Sequence, residues 1–133
     1  MPEFRFQHLD CLLSEDVLIL TVTTAELCGD DATDAVRQEM VRAACDSHAK
    51  QAVVDLKNVT YMASPGIRAL LGFRRQFLDQ GGRIVVCGLN QLIQDVLNTA
   101  RLIGATGSSP PALFETARDV AAAIAFLRTA KPN

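Results

Sequence analysis

Tryptophan is absent from the 133 residues, tyrosine occurs once and histidine twice. Few of the side chains that usually run general acid–base chemistry or ligate metals are therefore present. No catalytic residue, no metal site and no cofactor is expected, and the chain reads as a non-enzyme. A serine nucleophile would need His8 or His48 as its base, and no spacing brings either to one. Cysteine is sparse, at positions 11, 28, 45 and 87, without a Cys-x-x-Cys pair. That pattern argues against a zinc ribbon or a disulfide framework and for reduced thiols acting as small core residues of a cytoplasmic protein. Long apolar runs are missing too: Ala121-Ala-Ala-Ile-Ala-Phe-Leu127 is far shorter than the ~18–20 residues that cross a bilayer. The opening Met1-Pro-Glu-Phe-Arg5 has neither the charge order nor the apolar stretch of a secretory signal. Charge of one sign is also lacking, since 13 Lys+Arg face 15 Asp+Glu for a net −2. No global field recommends a nucleic acid or a membrane surface as partner.

What is present suffices for one globular core. Hydrophobic residues make up 49% of the chain and charged ones 21%, which excludes disorder as a description of the whole. The length suits a single domain over 1–133, with a core of about 4–128 and a tail at 129–133. Phe4 to His8 alternates apolar and polar, as does part of Val17 to Thr23, which predicts an N-terminal hairpin turning near Ser14 to Asp16. Ala32, Val36, Met40 and Ala43 recur at helical spacing, predicting a helix from about Asp31 to Ser47. Ala52 to Leu56 and Arg83 to Gly88 are short apolar runs rich in β-branched residues, the mark of strands buried on both faces. Between them Ile67, Leu70, Leu71, Phe77 and Leu78 form the stripe of a helix from Pro65 to about Gln80, stopped by Gly81-Gly82. Strand, helix and strand form a βαβ unit with a right-handed crossover. Asn90 reads as the N-cap of a helix ending near Gly104, and 104–111 as a loop. A last helix is expected with Thr116 and Asp119 as a capping box and Ala117, Val120, Ala121, Ile124 and Leu127 as its buried stripe.

The segment richest in chemical meaning runs from Val53 to Leu71. A buried strand leaves through a loop, and the next helix opens at Ser64-Pro65, with Ser64 as N-cap and Pro65 in the first turn that its fixed φ suits. Spacing alone makes this an ordinary helix start.

The run Val54-Asp-Leu-Lys-Asn-Val-Thr-Tyr-Met-Ala-Ser-Pro-Gly-Ile-Arg-Ala-Leu-Leu71 resembles the strand, loop and helix start of the STAS domains, named for sulfate transporters and anti-sigma factor antagonists. Gln80-Gly-Gly-Arg-Ile-Val-Val-Cys-Gly-Leu89 is similar to the family's glycine pair and following strand, and Leu20 to Leu27 stands where the family has its second strand and acidic turn. The resemblance extends from Val17 to Leu127. It implies an α/β fold with a mixed four- to five-stranded sheet and about four helices, an N-terminal hairpin leading into βαβ units. It also implies an anti-sigma factor antagonist, binding a partner that is both anti-sigma factor and serine kinase and switched by phosphorylation of Ser64. In this sequence the family's Asp before that serine is Ala63, and the serine or threonine after it is Pro65, whereas Gly66 matches.

The implied partner surface comprises Ala63, Ser64, Pro65 and Gly66, with Arg68 and Arg75 along the helix and Asp30 and Asp31 in the acidic turn. As solvated-face and turn residues these charges need no further explanation. A phosphate on Ser64 is expected to meet the free N–H groups of Gly66 and Ile67 and the positive end of the helix dipole. Ala63 and Pro65 speak for a second reading, a constitutive interaction module with Ser64 only a cap, such as a stressosome scaffold piece or the soluble subunit of a lipid ABC transporter. No Gly-rich phosphate loop supports a nucleotide site. The apolar final helix leaves room for a homodimer.

Overall fold

A computed structural model describes residues 8–14, 16–99 and 114–129. The N-terminal hairpin consists of β1 (Leu9–Ser14) and β2 (Val17–Val22), paired antiparallel with Leu9 opposite Val22 and Ser14 opposite Val17. A two-residue β3 (Glu26–Leu27) precedes α1 (Asp30–Ser47), and β4 (Gln51–Asp55) follows. Then come β5 (Tyr61–Met62), α2 (Ser64–Asp79), β6 (Arg83–Cys87), α3 (Gln91–Thr99), β7 (Glu115–Ala117) and α4 (Val120–Thr129). The main sheet has the order β1-β2-β4-β6-β7, antiparallel at β1 and parallel elsewhere, and β3 and β5 pair as a small separate ribbon. The α/β class, the mixed sheet and the four helices agree with the sequence expectation.

Period-two alternation divides the core. Leu18, Leu20, Ala52, Val54, Ile84 and Val86 face the layer containing Val36, Met40, Phe73, Phe77 and Ile93. Val17, Ile19, Val53, Val85 and Cys87 face the other side, covered by Ala123 and Leu127 of α4. Central strands buried on both faces explain why β4 and β6 read as unbroken apolar runs rather than alternating ones.

Among the described residues the first strand is Leu9–Ser14, with His8 in a bend before it; the rest of the strand expected at Phe4 to His8, residues 4–7, falls outside the described ones. The turn near Ser14 fixed the register, because a two-residue connection leaves each strand its partner. The capping box at Thr116 is also corrected. Thr116 and Ala117 belong to β7, hydrogen-bonded to β6, and Asp119 alone caps α4, its Oδ1 accepting from the Ala122 N–H at 2.8 Å. Ala121 is exposed rather than part of the buried stripe. Of the cysteines only Cys87 is buried; Cys11 is half-buried, Cys28 and Cys45 are exposed, and none is paired. Both exposed thiols lie near the ends of α1. The expected end of α3 near Gly104, the loop 104–111 and, apart from Thr129, which closes α4, the expected tail 129–133 lie outside the described residues.

Asn90 caps α3 as read from the sequence. Its Oδ1 accepts from the Ile93 N–H at 2.8 Å while Nδ2 donates to the Val59 carbonyl at 3.2 Å, tying α3 to the loop that leads to Ser64. Asn90→Ala is expected to lower stability by about 1 kcal/mol, the usual worth of a lost N-cap, as a shift in the urea midpoint at constant m-value.

Candidate functional site

Parallel strands place the N-termini of α1 and α2 at one edge of the sheet, beyond the carboxyl ends of β2 and β4. The β3–β5 ribbon sets them side by side. Leu27 lies opposite Met62, and the chain continues extended through Ala63, whose N–H donates to the Leu27 carbonyl at 3.0 Å. Ala63, with φ −121° and ψ −174°, is consequently the N-cap, and Ser64 is the first helical residue. The expected cap at Ser64 is displaced by one residue because pairing with β3 holds Ala63 extended, leaving Pro65 still within the first turn. The Ser64 hydroxyl is exposed and makes no hydrogen bond among the described residues.

This shift also corrects the anion expectation. The N–H groups of Gly66 and Ile67 are not free, since both donate to the Ala63 carbonyl, at 2.9 and 3.2 Å. Pro65 has no N–H to offer. Of the backbone donors of this turn only the Ser64 N–H is left, so a negative group on Ser64 looks chiefly to side chains.

Those side chains line a shallow groove of about 360 Å³ between the two helices, formed by Asp30, Asp31, Thr33, Asp34, Arg37, Pro65, Arg68 and Ala69. α1 begins after Gly29 with no side-chain cap, and Asp30 and Asp31 occupy its first turn, favourable positions for carboxylates at the positive end of a helix. Arg68 reaches across to Asp30, Nη2 to Oδ1 at 3.2 Å. Farther in, Asp34 accepts from Arg37 Nη2 at 2.9 Å and from Gln38 Nε2 at 2.7 Å. Gly66 is buried with its α-carbon against Leu27 and Met62. The structure thus brings Asp30, Asp31, Ala63, Ser64, Pro65, Gly66 and Arg68 together. Arg75 is exposed two turns farther along α2 and does not line the groove.

Neither histidine lines this groove. His8 Nδ1 lies 3.0 Å from Thr24 Oγ1 at the start of β1. His48 is the left-handed C-cap of α1, φ 57°, and lines an open cleft of about 1060 Å³ with Lys50, Gly81 and Arg83 at the opposite ends of the helices. In that cleft Arg83 is bound by the Glu115 carboxylate at 2.6 and 2.8 Å, which raises its pKa further. Among the described residues no three His, Cys, Asp or Glu side chains are grouped to hold a metal, and no helix is long and apolar enough to cross a membrane.

Sequence reading missed one charged residue near this edge. Asp55, only 2% exposed, ends β4, and its Oδ1 accepts from the Lys57 N–H at 3.0 Å while Oδ2 lies 3.7 Å from Lys57 Nζ. It turns the chain out of the sheet toward the loop that reaches Ser64. A lone carboxylate closing an otherwise apolar strand was the available signal.

A family model, the STAS domain, matches residues 13–120. Among solved structures, a putative anti-sigma factor antagonist from Thermotoga maritima superposes with a TM-score of 0.76 at 12% identity, covering 92% of this chain and 96% of its own. RsbS from Moorella thermoacetica, solved with a serine-to-glutamate substitution, gives 0.73 at 15% identity, covering 92% and 97%. The Bacillus cell fate determinant SpoIIAA in its phosphorylated form gives 0.55 at 15% identity over 69% of this chain and 82% of that one. At such identities these likenesses concern the fold.

Proposed function

The chain belongs to the STAS domain family, and from that premise we propose that it is a cytoplasmic, non-enzymatic regulator of the anti-sigma factor antagonist type. Its partner is an anti-sigma factor that is also a serine kinase, docking on the edge formed by the first turns of α1 and α2. The kinase transfers the γ-phosphoryl group of ATP to Ser64 Oγ, releasing ADP and a proton, and the modified chain lets the partner go. The observation that carries this reading is the Ser64 hydroxyl itself, exposed at the start of α2 and spared any capping duty because Ala63 holds the cap position. The fold neighbour solved in a phosphorylated form and the one solved with glutamate in place of serine lend it support.

A phosphoserine carries roughly −1.5 to −2 charges. Set beside Asp30 and Asp31, it makes the edge strongly negative, and a partner surface fitted to the unmodified edge loses affinity through repulsion and desolvation. The fold itself bears the change, since Ser64 is exposed. Calorimetric titration with the kinase-type partner is expected to show Ser64→Ala binding like the unmodified chain and Ser64→Asp binding at least about tenfold more weakly, ~1.4 kcal/mol. Equal affinities for all three would contradict the switch and leave a constitutive interaction module.

A further inference from the structure

We infer that Arg68 is the internal cation that binds a phosphate on Ser64, donating its guanidinium N–H groups to the phosphate oxygens, and that by turning to it Arg68 releases Asp30, so that one modification changes the charge on α1 as well as α2. The inference rests on Ser64 being the modified residue. Two observations carry it. The first is the occupied backbone: Gly66 and Ile67 donate to the Ala63 carbonyl and Pro65 has no donor, so the first turn of α2 offers a phosphate little. The second is the placement of Arg68, four residues after Ser64 on the same helix, with its guanidinium 3.2 Å from Asp30 Oδ1.

Residues four apart on a helix carry their Cβ atoms about 5–6 Å from each other, and an acid on the N-terminal side with a base on the C-terminal side is the favourable order. Long helical side chains also lean toward the N-terminus, which directs Arg68 over the turn where Ser64 stands. The bond that must break is weak. Asp30 is 81% and Arg68 67% exposed, and a solvent-screened single contact holds little against a dianion that a guanidinium can bind through two N–H groups. Arg37, the other cation of the groove, is engaged by Asp34. Once Arg68 has turned, Asp30 stands beside Asp31 without its cation. A partner resting on α1 then senses the modification made on α2.

The test uses the full chain with phosphoserine incorporated at position 64 during translation, so that no kinase is involved and capture is read apart from partner switching. Phosphorus NMR follows the second ionisation of the phosphate. It is expected about half a pH unit lower than in the same phosphorylated chain carrying Arg68→Gln, a gap that narrows as salt rises. Asp30→Asn, which removes the competitor, should lower it further, and Arg68→Lys should restore part of the shift. Identical titrations with and without the Arg68 guanidinium overturn the inference, whatever the partner affinities show. A normal shift alongside unchanged partner binding would uphold the capture and count against the switch.

Discussion

Gly66→Val is expected to destabilise the protein by about 3 kcal/mol and to abolish partner binding at this edge. A β-carbon at position 66 would lie 2.7 Å from the Leu27 carbonyl oxygen, 2.7 Å from Met62 Cγ and 2.8 Å from Leu27 Cβ. Met62 is itself buried in the core, and the Leu27 carbonyl cannot yield: it accepts the Ala63 N–H and belongs to the ribbon that sets α1 beside α2. Relief must come from moving the first turn of α2 away from β3, which separates Ser64 and Arg68 from Asp30. Overpacking of a site this close usually costs ~1–3 kcal/mol, and valine adds two methyl groups to the clash. Urea denaturation gives the loss of stability, and titration with the partner gives the loss of binding. A variant of wild-type stability would mean that the two helix starts are not locked together as described.

The second large effect is alkaline. Burial, with added repulsion from Asp55 and Asp119, pushes the Cys87 thiol from an ordinary 9.0 to about 12. The unfolded chain therefore gives up this proton first as the pH rises. Below about pH 9 both states hold it and nothing is lost. Between about pH 9 and 12 only the unfolded thiol ionises, and stability falls by ~1.4 kcal/mol per pH unit, approaching about 4 kcal/mol. Cys87→Ala removes this slope while leaving the other alkaline groups in place. The difference between the two stability curves isolates the thiol. A difference that stays constant from pH 8 to 11 would show that water or the Lys57 ammonium already relieves the site. Gly88 shares this corner, at φ 72°, where a β-carbon would stand 2.5 Å from Asp55 Oδ1. The carboxylate thus stays close to the thiol whose ionisation it opposes.

Much of this was written in local pattern. β4 and β6 announced themselves because strands buried on both faces need no polar alternation, and α1 because Val36, Met40 and Ala43 keep strict helical spacing over a long stretch. Asn90 was readable as a cap because its side chain bonds three residues on, a contact settled within one turn. What escaped was decided at a distance. β7 is a three-residue strand whose recorded ladder is with β6 alone; its few residues carry no period of their own. The two-residue β3 and β5 exist only as partners of each other, and their pairing moved the cap of α2 from Ser64 to Ala63. With the cap moved, the Gly66 and Ile67 N–H groups are occupied, and Arg68 meets Asp30 across a separation of 38 residues that no local pattern announces. The family motif located the serine, but tertiary pairing decided which groups surround it.

The most direct measurement is the intact mass of the full chain after incubation with ATP and the serine kinase of the anti-sigma type from the same cell, with Ser64→Ala alongside. The wild-type chain is expected to gain one phosphate and Ser64→Ala none, with dissociation of the complex as the phosphate is added. No gain, or an equal gain by both chains, would contradict the switch at Ser64.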